Sequence, residues 1–565
     1  MTGDEVTGSE AGASKRNGGG GPGSDPTSSP RHLVASSFGI WLALPIGAAL
    51  ALAFAPFEWW PLAVLCPAYL FLAWLFGTPR SAAKSGFLFT VGLFLAGTYW
   101  LYHTIHEVGH APAWIAIFLM CAMVAILGGY TAALGYALVR WLPVSAKAEG
   151  YGRQAADMDD AHFPAGWARV EVGAALQLLL IYPAAYTLLE WFRGWFLSGF
   201  PWFALGYSQT DSPLAGFAPL GGVYAISLLT AVSAGALACL ALGGKRTRIA
   251  SAVILLAIWA SAAALWQREW THATGRPITV AVVQGAVPQD VKWSLEYRDS
   301  TLRLYRDLTL PYLGKDIVLW PESALPDMPD QLRDYISRMW SEAHAKGTVL
   351  ITGLLRYGEN VDDIRNGLLV LDDDVQWYDK RRLVPFGEFF PVPDFIRSWM
   401  KLRNLPYSDI TAGAPDQPAL KAGANRIGAT ICYEDAYGSE QLAVLKDATL
   451  LVNVTNDAWF GDTTAAPQHL QISRMRVMEA ERPLLRAAND GISAIIRADG
   501  AVEKTLPRFK PAVLTGVVQP RTGLTPYARV GNWPVVLLCF AVLAAFAVRT
   551  QLARRRGMRS DIASG

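Results

Sequence analysis

Ile427-Gly428-Ala429-Thr430-Ile431-Cys432-Tyr433-Glu434-Asp435 is the stretch on which the reading of this chain turns: an apolar run that stops on a thiol followed by two carboxylates. Runs of Ile, Val and Leu bounded by Gly, Pro or Asp suit buried strands, so the Cys432 thiol stands at a strand tip. Of the five cysteines, the other four (Cys66, Cys121, Cys239 and Cys539) lie inside long apolar stretches, where they behave as small hydrophobes. Cys432 has no local partner for a disulfide.

Working outward, residues 267–531 share this texture. Candidate strands are Ile278–Val283, Ile317–Trp320, Val349–Leu355, Leu368–Asp372, Ile427–Cys432, Leu450–Val454, Ile492–Arg497 and Val513–Val518, with helical segments at 296–312, 329–346 and 467–482. About 250 residues suffice for one α/β domain with its own core. Two further polar groups sit at strand ends: Trp320-Pro321-Glu322-Ser323, and Tyr378-Asp379-Lys380 followed by Val384-Pro385-Phe386-Gly387-Glu388. Singly, a strand-end Glu or Lys is usually solvated and a buried Cys is usually packing. Together they supply a base, a cation and a nucleophile, the set that acyl transfer requires. Lys380 beside Cys432 is expected to lower the thiol pKa. Glu322 is expected to take the thiol proton, and Lys380 to stabilise the oxyanion with a backbone N–H.

The rest of the chain is of another kind. Of its 565 residues 52% are hydrophobic and 17% charged, and eight stretches carry no charge: 33–54, 60–77, 85–102, 111–139, 172–189, 212–244, 249–266 and 532–548. A helix crossing hydrocarbon needs about 20 mostly apolar residues. The expectation is a multi-pass α-helical membrane bundle of about eight spans, seven in 32–266 and the eighth in 532–549. Lys and Arg gather on alternate connections (Lys15 to Arg31, Arg80 and Lys84, Arg140 to Arg169, Lys245 to Arg248, Arg554 to Arg559), and the short loops between hold only Arg193. Positive loops stay cytoplasmic. Both ends are then inside, and 267–531 is outside. The segment 1–31, rich in Gly, Ser, Pro and Asp, reads as a disordered tail, and 550–565 as a basic one. A net charge of +2 gives no reason to expect a nucleic-acid partner.

With Glu322, Lys380 and Cys432 in place, the sequence resembles the nitrilase (carbon–nitrogen hydrolase) superfamily, and within it the membrane branch of apolipoprotein N-acyltransferases. The resemblance runs from about residue 38 to 549. It is carried by Glu190-Trp191-Phe192-Arg193-Gly194, Gly199-Phe200-Pro201-Trp202, Gly206-Tyr207-Ser208-Gln209, Val283-Gln284-Gly285 and Lys292-Trp293. It continues through the three strand-end groups, Asn456-Asp457-Ala458-Trp459-Phe460-Gly461 and Gly531-Asn532-Trp533-Pro534. It implies an αββα sandwich outside the bundle, with Glu322 as proton acceptor, Lys380 as transition-state stabiliser and Cys432 as nucleophile. Glu388 would hold the lysine and its loop, Tyr433 and Glu434 would shape the pocket, and Trp293 would contact the lipid. It implies no cofactor and no metal. The donor would be a phospholipid, typically phosphatidylethanolamine, and the acceptor the S-diacylglyceryl cysteine of an apolipoprotein, at a bacterial inner membrane with the catalytic domain on the periplasmic side.

Other readings compete. The same triad with water as acceptor would make a membrane-tethered amidase. His106-Glu107-Val108-Gly109-His110 matches a zinc-protease pattern, but Gly109 and Pro112 are poor residues for the helix such a site needs. His272, His344 and His469 stand in no distinctive setting, and His469 reads as a surface or packing residue. Glu190 and Arg193 read as an interfacial ion pair. Phe386, Phe389 and Phe390, beside Pro385, Gly387 and Pro391, suit either a lid dipping into the interface or core packing.

Overall fold

The computed structural model describes residues 37–142, 172–389, 395 and 410–563; the tail 1–31, the basic positions Lys147, Arg153 and Arg169, and Phe390 and Pro391 lie outside these. Each of the eight uncharged stretches forms helix: Ser37–Leu50, Leu62–Phe76, Pro79–Gly97, Ala113–Trp141, Tyr182–Arg193 with the turns before it, Ala218–Leu242, Lys245–Trp266 and Trp533–Ala563. Five are long and apolar enough to cross a membrane alone, and a sixth is so if Pro79–Gly97 and Trp100–Val108, bent by 55° at their junction, count together. Of the eight expected spans, Ser37–Leu50 and Leu62–Phe76 are the shorter apolar helices that fall below that measure. The 15 residues of Leu62–Phe76 reach about 22 Å, against roughly 30 Å of hydrocarbon. The last helix also runs past the expected boundary at 549, unbroken to Ala563.

Small residues set the helix contacts. A Cβ on Gly47 would lie 1.9 Å from the Phe89 carbonyl oxygen, and one on Gly92 would lie 2.0 Å from that of Leu44. The first helix and Pro79–Gly97 therefore meet backbone to backbone, as lipid-embedded helices do when packing alone draws them together.

The strands of the second part are β1 His272–Ala273, β2 Ile278–Gln284, β3 Ile317–Leu319, β4 Val349–Tyr357, β5 Ile364–Leu371, β6 Val375–Asp379, β7 Leu420–Ala422, β8 Asn425–Ile431, β9 Leu450–Thr455, β10 Leu484–Ala488, β11 Ala494–Ile496, β12 Val502–Thr505, β13 Ala512–Val518 and β14 Arg521–Thr522. Two six-stranded sheets form, in the orders β13-β2-β3-β4-β5-β6 and β12-β11-β10-β9-β8-β7. Alternate side chains point to opposite faces of a strand. Val280, Val282, Ile317 and Ile351 from one sheet thus meet Ile427, Ala429, Ile431 and Val452 from the other in a dry core. The opposite set, including Ala281, Val318 and Leu350, packs under Tyr305, Met339 and Ala343 of the helices Leu295–Thr309 and Arg333–His344. Leu451, Leu484 and Ile496 lie beneath Val477 and Ala480 of the helix Ala465–Ala480. This is an αββα sandwich.

The helix Ala465–Ala480 joins the two parts. Its other face, with Ile472, Met475 and Met478, belongs to the same apolar cluster as the Tyr182–Arg193 and Ala218–Leu242 helices. Arg474 pairs with Asp211, and Glu479 accepts the Val223 N–H at 2.8 Å.

Candidate active site

β3 runs parallel to β2 in one sheet and β8 runs parallel to β9 in the other, and the turns that leave β3, β8 and β9 carry Glu322, Cys432 and Asn456. After β3 the chain turns sharply through Pro321-Glu322-Ser323, with Ser323 at φ 48°, and packs so closely on Gly353 that a Cβ there would lie 2.7 Å from the Glu322 Cα. After β8, Cys432 opens a short 3₁₀ turn at φ 53°. Such left-handed backbone is uncommon for a residue with a side chain. The thiol thus belongs to a held turn rather than to the strand itself.

Lys380, 1% exposed, follows β6. Its ammonium donates to Glu388 Oε1 at 2.8 Å and lies 3.3 Å from Glu322 Oε1. Asn366 on β5 bridges the same two carboxylates from its Nδ2, at 2.7 Å to Glu322 and 3.1 Å to Glu388. The second Glu322 oxygen accepts the Asn456 N–H at 2.8 Å, and the second Glu388 oxygen accepts the Val384 N–H at 2.8 Å. Burial works against the Lys380 charge, but Glu322 and Glu388 outweigh it and hold the lysine well above its ordinary pKa.

The thiol behaves otherwise. Burial pushes Cys432 well above the ordinary thiol range, Glu322 pushes further, and Lys380 pulls it down without offsetting them. Lys380 lowers the thiol pKa in the expected sense, but burial and Glu322 raise it by more, so the net direction is upward.

Glu434 does more than shape a pocket. Its Oε1 accepts the Arg381 N–H at 2.6 Å and that of Arg382 at 3.2 Å. Its Oε2 accepts the Ile431 N–H at 2.7 Å and the Tyr378 hydroxyl at 2.9 Å. One buried carboxylate thus ties the lysine loop to the cysteine turn. Tyr433 stacks on Trp202 with ring centres 6.2 Å apart, and its hydroxyl donates to the Gly199 carbonyl at 3.1 Å. Tyr437 donates to the same carbonyl at 3.2 Å. Trp293 is 45% exposed, whereas its neighbour Lys292 is buried. Phe386 is exposed at the tip of a tight turn in which its N–H donates to the Phe389 carbonyl at 2.7 Å.

Of the two readings of His469, surface or packing, the structure leaves the second. The side chain is fully buried, with Nε2 3.1 Å from the Cys432 carbonyl oxygen and Nδ1 3.1 Å from Asp457 Oδ1. Asp457 in turn pairs with Arg486. Burial raises the Asp457 pKa, but Arg486 and His469 outweigh it and keep the carboxyl far below the usual range. Glu190 and Arg193 are not paired with each other: Glu190 accepts the Leu205 N–H at 2.9 Å, and Arg193 donates to the carbonyls of Phe200 and Trp202, so both brace the loop beneath Tyr433. Thr104–Val108 coils as a π-helix, His110 has φ 52°, and His106 Nδ1 lies 2.8 Å from the Ala111 carbonyl oxygen. The two histidines therefore do not share an α-helical face. Among the described residues no group of three or more His, Cys, Asp or Glu side chains is placed to hold a metal.

The chain matches the family model of the apolipoprotein N-acyltransferase N-terminal domain over residues 46–236 and that of the carbon-nitrogen hydrolases over 279–527. It is similar to the apolipoprotein N-acyltransferase of Chromobacterium violaceum, with 39% identity over 535 residues, covering 93% of this chain and 97% of that one. The protein of the same name from Pseudomonas putida is 40% identical over 507 residues, with 89% and 95% covered. That of Methylococcus capsulatus is 38% identical over 524 residues, with 92% and 97% covered. With both halves matched and nearly the full length of each relative covered, the chain belongs to the apolipoprotein N-acyltransferase family.

Proposed function

We propose that this membrane-embedded acyltransferase takes an acyl chain from a phospholipid, phosphatidylethanolamine in the first instance, onto Cys432. It then passes the chain to the α-amino group of the S-diacylglyceryl cysteine that begins an apolipoprotein. The observation that carries this reading is a thiol on a held turn, within reach of the charges of Glu322 and Lys380 and followed by Tyr433, which stacks onto the Trp202 loop of the helical part.

Glu322 takes the Cys432 proton as sulfur attacks the ester carbonyl. Lys380 stabilises the oxyanion. Collapse breaks the ester C–O bond, and the proton on Glu322 goes to the departing lysophospholipid oxygen. In the second half Glu322 deprotonates the incoming ammonium, whose ordinary pKa of about 7.7–8.0 leaves much of it protonated near neutrality. The amine attacks the thioester, the C–S bond breaks, Glu322 returns the proton it took to the sulfur, and the nitrogen releases its second proton to solvent as the amide forms. Glu388 and Glu434 hold the lysine and its loop, Tyr433 lines the membrane side of the pocket, and Trp293 meets lipid from its exposed position. The distribution of Lys and Arg supports an extracytoplasmic, periplasmic sandwich on the bacterial inner membrane, with 1–31 and 550–565 as cytoplasmic tails. Both substrates are lipid-anchored, and drawing a chain into water costs about 0.8 kcal/mol per CH₂, so a site seated against the helical part avoids that cost.

The test is to incubate the purified protein with phospholipid and weigh the peptide containing Cys432. An acyl thioester removed by hydroxylamine is expected, with none in Cys432→Ala. N-acylated peptide on adding acceptor completes the reaction. Free fatty acid without N-acylation would indicate a hydrolase instead, and N-acylation by Cys432→Ala would end the proposal.

A further inference from the structure

Lys292 is a buried charge that the mechanism above leaves idle. In the Lys292-Trp293 pair the aromatic ring is the one facing outward, while the lysine is 2% exposed. Its ammonium lies 3.3 Å from the main-chain carbonyl oxygen of Glu322. The Glu322 carboxylate is already fixed by Lys380, Asn366 and the Asn456 N–H. Its backbone lies in a turn with a left-handed neighbour, Ser323, pressed against Gly353. A strained turn persists only where its surroundings hold it. Lys292 is the side chain that reaches this one at its carbonyl.

Two carboxylates act on the Lys292 charge: Glu322 itself and Asp490, on the turn after β10. Asp490 Oδ1 is buried and has no hydrogen-bond partner, and Asp490 also feels Asp457 and Arg508. An ammonium buried without a carboxylate in direct contact costs free energy that a norleucine-like side chain would not. A cation kept in such a place, against the backbone of the base, has a use there.

We infer that Lys292 is a positioning residue for the reaction, its ammonium gripping the Glu322 main chain so that the carboxylate stays aimed at the thiol. This rests on Glu322 as the base. Burial also draws the Lys292 pKa down to about 8, with Glu322 and Asp490 opposing the fall. The grip therefore weakens as pH rises through that value, because the ammonium loses its proton.

The experiment is the acylation half-reaction, without acceptor, followed by the mass of the Cys432 peptide across pH in the wild type, Lys292→Met, Lys292→Arg and Asp490→Asn. The wild-type rate is expected to fall as pH rises through about 8. Lys292→Met is expected to be about 100-fold slower, the loss that a misplacement near 1 Å causes, with donor KM unchanged and the alkaline fall gone. Lys292→Arg should recover part of the rate. Asp490→Asn should keep the fall but move it to lower pH, since a charge that favours the ammonium is gone. Wild-type speed in Lys292→Met, or an unmoved pH profile in Asp490→Asn, overturns the inference. If Lys292→Met fails to fold, the Asp490→Asn profile decides. A wild type that forms no thioester sinks the proposed function instead, and this role with it.

Discussion

In the sandwich apolar strands are hidden: all three residues of β3, Ile317–Leu319, and all six of β9, Leu450–Thr455, are buried. Among the helices the order inverts. The Lys245–Trp266 helix has only 11% of its most apolar stretch buried, whereas Gly173–Arg193, less apolar, has 72%. Leu256, Val253, Phe118 and Leu537 stand on the outside of the helical part, each more than half exposed. One chain folds against two solvents. In water, burying an apolar side chain contributes roughly 1.5–3 kcal/mol; in lipid the same side chain gains nothing by turning inward, and close backbone contact decides packing.

The contrast can be attacked at several points. Lys380→Met leaves two buried carboxylates facing each other, which costs about 3–5 kcal/mol and should lower Tm. Acylation of Cys432, read by mass, should disappear; a thioester formed at an ordinary rate would remove Lys380 from the chemistry. Leu450→Ala, in the dry core between the sheets, should destabilise the protein by about 2–5 kcal/mol. Gly92→Leu forces a side chain into the Leu44 carbonyl and should cost about 1–3 kcal/mol, read as a lower Tm in detergent. Leu256→Ala should change stability by less than about 0.5 kcal/mol. If Leu256→Ala and Leu450→Ala cost the same, the idea of two solvents is wrong.

What was legible follows from the same contrast. Absence of charge marks the helices, and polar residues at the ends of apolar runs mark Glu322, Lys380, Glu388 and Cys432, which the fold gathers around adjoining strand ends. Strand β10 escaped notice because Arg486 interrupts it; that arginine is fully buried among Asn453, Asp435 and Asp457, a setting no local pattern announces. Asn366 and the Asn456 N–H reach Glu322 from 44 and 134 residues away. His469 and Cys432 are 37 apart. Partners at such separations leave no mark on short-range spacing. Freedom from charge marks where the helices are but says little about where each one stops, so five or six, rather than all eight, are long enough by themselves to cross. The bend between Gly97 and Trp100 is an example.

Both tyrosines beside Cys432, Tyr433 and Tyr437, hang from the Ser198 and Gly199 carbonyls, which belong to the other half of the molecule. A fragment trimmed to 267–531 would therefore keep Glu322, Lys380 and Cys432 yet lose the peg on which the cysteine turn is hung. Shortening the protein for convenience should yield an inert domain, and inhibitor screens need the whole chain in a bilayer.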